Sequence, residues 1–312
     1  MIETISKSKH ITSKEFMYAN NRRFTITGKL PLRETEIQPA AAAVTGGVYT
    51  GIFLLQHFLQ QNTIWKEVGP FHTYEDAEFT LWLDKPGHFF GTYLPCYVMQ
   101  EALFTSGLSY DASAIWGGVL GLAYNSYVEI LDGYSIGFGF SPSDFYADIA
   151  GATFFVAQHF SPFLQNFTPK FQYIKPSWHG ELDRYPSDAF IDNYSAQTFW
   201  MSVNVYNLLP TGMKKYWVPW LDLSVGYAVY SLCNPRLDRP CTCQSEKQTG
   251  ATYGNPKLLI SLDWNLQQMF PNADGFLGWL IQSANYFKLP SPVLEIGTKD
   301  VKFSFIYPFY KF

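Results

Sequence analysis

Residues 220–230 read WLDLSVGYAVY, and the alternation within them decides the architecture of the C-terminal half. Leu221, Leu223, Val225, Tyr227 and Val229 fall on one face of an extended chain, while Asp222, Ser224, Gly226, Ala228 and Tyr230 fall on the other, because successive side chains of a strand point to opposite sides. The same period runs through KLLISLDWNLQ (257–267), where Leu258, Ile260, Leu262, Trp264 and Leu266 oppose Leu259, Ser261, Asp263 and Asn265. TFWMSVNVY (198–206) and the terminal VKFSFIYPFYKF (301–312) repeat it. Turn-forming segments NLLPTG, CNPR and PNADG separate these runs, so the region from about residue 166 onward is expected to be antiparallel β, with five or six strands. GFLGWLIQSANYF (275–287) is expected to be a helix between strands.

Working back toward the N-terminus, the pattern changes near residue 165. AIWGGVLGLAYNSYVEIL (114–131) and IAGATFFVAQHF (149–160) are long apolar runs punctuated by small residues, which suits packed or bilayer helices better than strands. AAAAVTGGVYTGIFLLQHFL (40–59) lies in a stretch without formal charge from Gln38 to Trp65, and its length is sufficient for ~30 Å of hydrocarbon. The expected class is therefore α+β: a polar extension over residues 1–40, a helical domain of about four helices over 41–165, and an antiparallel β domain over 166–312.

Composition narrows the function classes. Charged residues are 15% and aromatics 18% of the 312 residues, against about 25% charged in an ordinary soluble domain. That balance points to a membrane or to a very large apolar core, with lipid as an expected partner. A net charge of -4 and the lack of a basic, aromatic-interleaved track argue against nucleic acid as a partner. The first 40 residues contain no apolar run of the ~7–15 residues that a secretory signal needs, and no Cys lies near the start. The expectation is that a signal was removed before this numbering, that the start is misplaced, or that the protein is not exported. Cys96 reads as a small buried hydrophobe. Cys233, Cys241 and Cys243, in CNPRLDRPCTCQ, are disulfide candidates for an oxidising compartment.

Two settings suit the strands. A sheet can pack its apolar face on the helices and turn its polar face to water, or turn its apolar face to lipid around a polar interior, as outer-membrane barrels do with strands of ~9–11 residues. Too few strands are visible for a complete barrel, so an incomplete barrel completed by helices is the expectation in the second setting.

Helix starts are legible. In WLDKPGHFFGTY (82–93), Pro86 follows Asp84 and Lys85, either of which can cap a helix carrying His88 to about Phe104. Ser109 can cap the next helix, to about Leu131. In SPSDFYADIAG (141–151), Ser141 is a natural cap, Pro142 the first helical residue, and Asp144 the acid that completes a capping box. Asp84 and His88 are four apart, Glu129 and Asp132 three apart, and Asp144 and Asp148 four apart, so each pair shares a helical face. His88, Glu129 and Asp148 are expected to converge between three helices, with Asp132 close by and Asp84 acting mainly as a cap. Tyr124, Asn125 and Gln158 can complete the network.

WLDKPGHFFGTY, GLAYNSYVEILDGYSIGFGFSPSDFYADIAGATFFVAQ, QTFWMSVN, WLDLSVGYA, LLISLDWNL and FKLPSPVLEIG together resemble the YfiM-like family of uncharacterised cell-envelope proteins, from about residue 45 to the end. Short members of that family are predicted lipoproteins holding only the helical part. The resemblance implies an envelope location, at the outer membrane or the periplasmic face, and no activity. The helical part is more weakly similar to VanZ-like membrane proteins, which implies a set comprising Asp84, Lys85, His88, Glu129, Asp132, Asp144 and Asp148.

Carboxylates around an imidazole can bind a divalent cation or act as general acid and base. On that ground His88, Glu129, Asp132 and Asp148 are the catalytic candidates, His88, Glu129 and Asp148 the metal candidates, and Asp84, Lys85, Ser141 and Asp144 the capping or network residues. The alternative is a satisfied polar network that locks three helices together. The expected function is a structural or assembly subunit of an outer-membrane complex, with other envelope proteins as partners. Its rival is a membrane-embedded enzyme or binder acting on a lipid phosphate or cell-wall precursor.

Overall fold

The computed structural model describes residues 8–78, 80–179, 193–232, 254–298 and 300–311. Four long helices precede a seven-stranded antiparallel sheet, so the chain is α+β. The candidate cysteines Cys233, Cys241 and Cys243 lie outside the described residues.

Helix α1 (Pro39–Gln61) begins with Pro at its first turn and continues through four alanines, a start that both Pro and Ala favour. Among the described residues it is the one helix long and apolar enough to cross a membrane, and none of its most apolar stretch is buried. It is tethered to the other helices by Tyr49 Oη, which donates to Val98 O at 2.9 Å, and by the Tyr127 Oη···His57 Nδ1 contact at 2.6 Å.

Helices α2 (Asp84–Thr105), α3 (Tyr110–Asp132) and α4 (Pro142–Phe160) form a tight trio. Gly121 of α3 meets Cys96, and Gly151 of α4 meets the Phe89 carbonyl of α2, so closely that a β-carbon at either glycine would collide. Cys96 is fully buried there. Pro95 lies inside α2, and with no N–H it leaves the carbonyl four residues back without its helical donor. Asn125 of α3 supplies one, its Nδ2 donating to Gly91 O at 3.1 Å.

The residues ahead of α1 pack against this half. A short hairpin, β1 (Met17–Tyr18) and β2 (Asn21–Arg22), leads to Arg23. Arg23 is buried, donates to Gln100 Oε1 at 2.5 Å, pairs with Glu101 at 3.4 Å and lies over the Phe16 and Phe104 rings.

Strands β3 (Phe167–Tyr173), β4 (Gln197–Val203), β5 (Leu221–Tyr230), β6 (Asn255–Trp264), β7 (Val293–Gly297), β8 (Val301–Ile306) and β9 (Tyr310–Lys311) pair in sequence order. The sheet curls, bringing Trp200 of β4 within 6.3 Å of Tyr307 after β8, but its ends do not pair and it is not a closed barrel. Segment Tyr286–Lys288 instead runs along the β3 edge, with Phe171 N donating to Tyr286 O and Lys288 N to Phe171 O. It follows helix α5 (Gly275–Ala284).

The two faces of the sheet are inverted relative to a water-facing one. On the concave face Lys170, Asp222, Ser224, Lys257, Ser261, Asp263, Glu295 and Ser304 are all buried. Several of these groups meet: Lys170 and Lys288 approach Asp263 at 3.1 and 3.5 Å, Ser224 donates to Asp263 at 2.7 Å, and Tyr230 donates to Glu295 at 2.8 Å. On the convex face the helices cover Phe171, Phe199 and Tyr227, through Phe90 stacked 5.8 Å from Phe171 and Tyr227 Oη donating to Leu81 O. Beyond that cover Leu223, Val225, Leu258, Ile260, Leu294, Phe303 and Phe305 stand exposed.

Candidate functional site

The expected site residues sit at one end of the helical trio, where α2 and α4 begin and α3 ends. His88 lies one turn into α2, Glu129 one turn before the end of α3, and Asp144 and Asp148 on the first two turns of α4. Residues four apart on α4 and on α2 share a face, and the close glycine contacts bring those faces together.

His88, Glu129 and Asp148 do meet. His88 Nδ1 is 3.2 Å from Asp148 Oδ1 and 3.5 Å from Glu129 Oε1, and its Nε2 is 3.7 Å from Asp144 Oδ1. Glu129 and Asp148 are 2% and 0% exposed, whereas the His88 side chain keeps 23% of its surface. Thr92, one turn beyond His88, donates to Asp148 Oδ1 at 2.7 Å.

Beside this group lies a second. Lys85 Nζ is 2.6 Å from Asp144, 2.9 Å from Asp76 and 3.0 Å from Asp84, with Glu75 at 3.6 Å. Three carboxylates thus surround one ammonium, which supplies the charge that buried acids require. Ser143 donates to Glu75 at 2.5 Å, tying the loop before α2 to the start of α4.

Several expectations need correction. Asp84 is not the cap of α2: the cap position is Leu83, without a side-chain bond, and the Asp84 carboxylate instead accepts from Thr80 Oγ1 at 2.7 Å and pairs with Lys85. Ser141 does cap α4, accepting from Asp144 N, but Asp144 does not reach back to close a capping box. The Ser141 N–H donates to Glu129 Oε2 of α3 at 3.2 Å, so the reciprocal acid comes from another helix and Asp144 is left for Lys85. Asp132 lies near enough for its charge to raise the Glu129 carboxyl, and it also accepts from Trp65 Nε1 at 2.6 Å. Gln158 accepts from Tyr93 Oη and donates to Leu164 O and Phe167 O, joining α4 to β3. Asn125 serves Gly91, as above.

Sequence reasoning missed Glu75, Asp76, Thr80 and Thr92. Thr92 carried a usable signal, since it stands four residues after His88. The other three lie in a loop, where no periodicity marks a face.

Electrostatics at the site are set by burial and by the excess of acids. Burial, with the neighbouring acids, pushes the Glu129 carboxyl up to about 8 against the opposing pull of His88. Burial alone would depress His88, but its bond to Asp148 and the charges of Asp144, Asp148 and Glu129 outweigh that and raise it to about 10. The two groups together form a network of two basic side chains among six acids: Lys85 and His88 against Glu75, Asp76, Asp84, Glu129, Asp144 and Asp148.

Residues 73–159 match a protein family described as predicted periplasmic lipoprotein (DUF2279). The matched segment contains α2, α3, nearly all of α4 and every residue of both clusters, while α1 and the sheet lie outside it. No curated protein and no solved structure matches the chain.

Proposed function

We propose that this protein is a bacterial envelope protein held in the outer membrane by the convex face of its sheet, with a structural or assembly role. The observation that carries this reading is the inversion of the sheet. Leu223, Val225, Leu258, Ile260, Phe303 and Phe305 are exposed while Asp222, Lys257, Asp263 and Glu295 are buried behind them. A sheet bathed in water has no reason to turn apolar residues outward and bury lysines, whereas a bilayer requires that order.

Strands β5 and β6 have ten residues each, about the ~9–11 that a tilted strand needs to cross hydrocarbon. Trp220 and Trp264 lie 6.0 Å apart at one end of this pair, with exposed Tyr216 nearby in sequence, which suits an interfacial aromatic girdle. Similarity of residues 73–159 to predicted periplasmic lipoproteins agrees with an envelope location. A structural role is favoured over hydrolysis because the ammonium of Lys85 fills the Asp76, Asp84 and Asp144 group and ties α2, α4 and the loop before α2 together.

Membrane separation of cells making the full chain tests the reading. Recovery in the outer-membrane fraction after carbonate and urea washes is the expected result, with envelope proteins copurifying in mild detergent. Recovery in the soluble fraction without detergent overturns the membrane part, and a protein that always emerges alone overturns the assembly part.

A further inference from the structure

The His88, Glu129 and Asp148 group differs from its neighbour in one respect: among the described residues no lysine or arginine enters it. Asp76, Asp84 and Asp144 converge on Lys85, but Glu129 and Asp148 have only the imidazole between them. Asp148 is fully buried, and its Oδ2 has no hydrogen-bond partner in the described structure. A buried carboxylate oxygen with an idle lone pair calls for a further partner.

The donor spacing identifies one. Nitrogen and oxygen ligands bound at ~2.0–2.2 Å in tetrahedral array stand about 3.3–3.6 Å apart; His88 Nδ1 lies 3.5 Å from Glu129 Oε1 and, just under that span, 3.2 Å from Asp148 Oδ1, the other oxygen of the carboxylate whose Oδ2 is idle. One atom from each of the three residues lies within 4.8 Å of the others. Two of the ligands are also oriented from outside. Thr92 donates to Asp148 and the Ser141 N–H holds Glu129 Oε2, while the Asp144 carboxylate lies 3.7 Å from His88 Nε2, on the side of the ring away from the metal position.

We propose that His88 Nδ1, Glu129 and Asp148 bind one divalent transition-metal ion of the zinc type, leaving a coordination position on the side where the imidazole is exposed. One imidazole with two carboxylates suits such an ion better than the harder calcium or magnesium, which prefer all-oxygen sets. Imidazole and carboxylate ligands bind metal in their deprotonated form, so metal uptake releases protons. The proposal does not depend on the membrane reading, since the three ligands come from helices outside the sheet.

The test uses the purified full chain, stripped with a chelator and titrated with Zn²⁺ alone. One ion per chain is expected, with proton release and a raised melting temperature, and Glu129→Gln and Asp148→Asn should each weaken binding at least tenfold. The variant Asp111→Asn, changed at an acid paired with His159 away from the cluster, should bind as the parent does. Should the two cluster variants fail to fold, Co²⁺ added to the unaltered chain decides the matter. Paramagnetically shifted imidazole signals support the site, and their absence overturns it. No Zn²⁺ uptake by the unaltered chain, or uptake unchanged in folded Glu129→Gln and Asp148→Asn, overturns it equally.

Discussion

The backbone N–H of Ser141 donates to Glu129 Oε2 at 3.2 Å, so the acid that completes the start of α4 is supplied by the end of α3. A single carboxylate thereby joins two helix termini to His88. Glu129→Ala leaves that N–H without its acceptor, removes one of the carboxylates beside the imidazole, and should cost about 1–3 kcal/mol. Glu129→Gln keeps an amide oxygen for Ser141 and should cost less. Thermal unfolding in detergent compares the two, and equal losses would remove the Ser141 bond from the account.

Acidity should tune stability through the same pair. His88 and Glu129 are both raised in the folded protein, so the native state binds more protons than the unfolded chain over the interval between each ordinary and raised value. Where the native state holds the extra protons, stability falls as pH rises. For Glu129 the loss spans about 4.5 to about 8, and for His88 about 6.5 to about 10. Metal-free protein should therefore melt at progressively lower temperature from pH 6 to pH 9, and His88→Gln should flatten the slope above pH 7. A melting temperature that rises over that range would contradict the assignment.

On the sheet, Val225 and Ile260 face each other across β5 and β6 on the exposed convex side. Lysine at either position should cost about 2–4 kcal/mol if the site lies at mid-bilayer and should reduce retention in the washed membrane fraction. In water the same change would be nearly neutral and would improve solubility. Urea unfolding from vesicles, together with fractionation, separates these outcomes.

Within the helical trio, Asn125 compensates for Pro95 by donating to Gly91 O. Asn125→Ala should cost about 1–3 kcal/mol by leaving a carbonyl unsatisfied. With Pro95→Ala the helix regains its own donor, and the cost of Asn125→Ala should shrink. A double-mutant cycle on melting measures the coupling, and additive losses would refute it.

The strand pattern of β5, β6 and β8, the helix starts at Ser109 and Ser141, and the grouping of His88 with Glu129 and Asp148 were all legible along the chain. The strands and helix starts depend on spacing within one element, which the periods of 2 and 3.6 carry, whereas the grouping of three helices' side chains drew on the scarcity of charge that makes buried acids seek partners. Strand β3 was less legible, because its buried residues Lys170 and Gln172 are polar, as is Thr168 on the same face, and Pro169 sits among them.

Tertiary structure alone decided which side of the sheet is inside. Alternation separates Leu223 and Val225 from Asp222 and Ser224 but is the same whether water or lipid lies outside. The choice was made by curling, which encloses Lys170, Asp263 and Lys288 together and lets them neutralise one another. It likewise decided the partners of the acids. Asp84 and Asp144 resemble helix caps in sequence, yet both turn to Lys85, because an ammonium within 3.0 Å and 2.6 Å of two buried carboxylates relieves a desolvation cost that a cap hydrogen bond cannot. Local spacing determined which residues share a face, and only the packing of faces determined which charges meet.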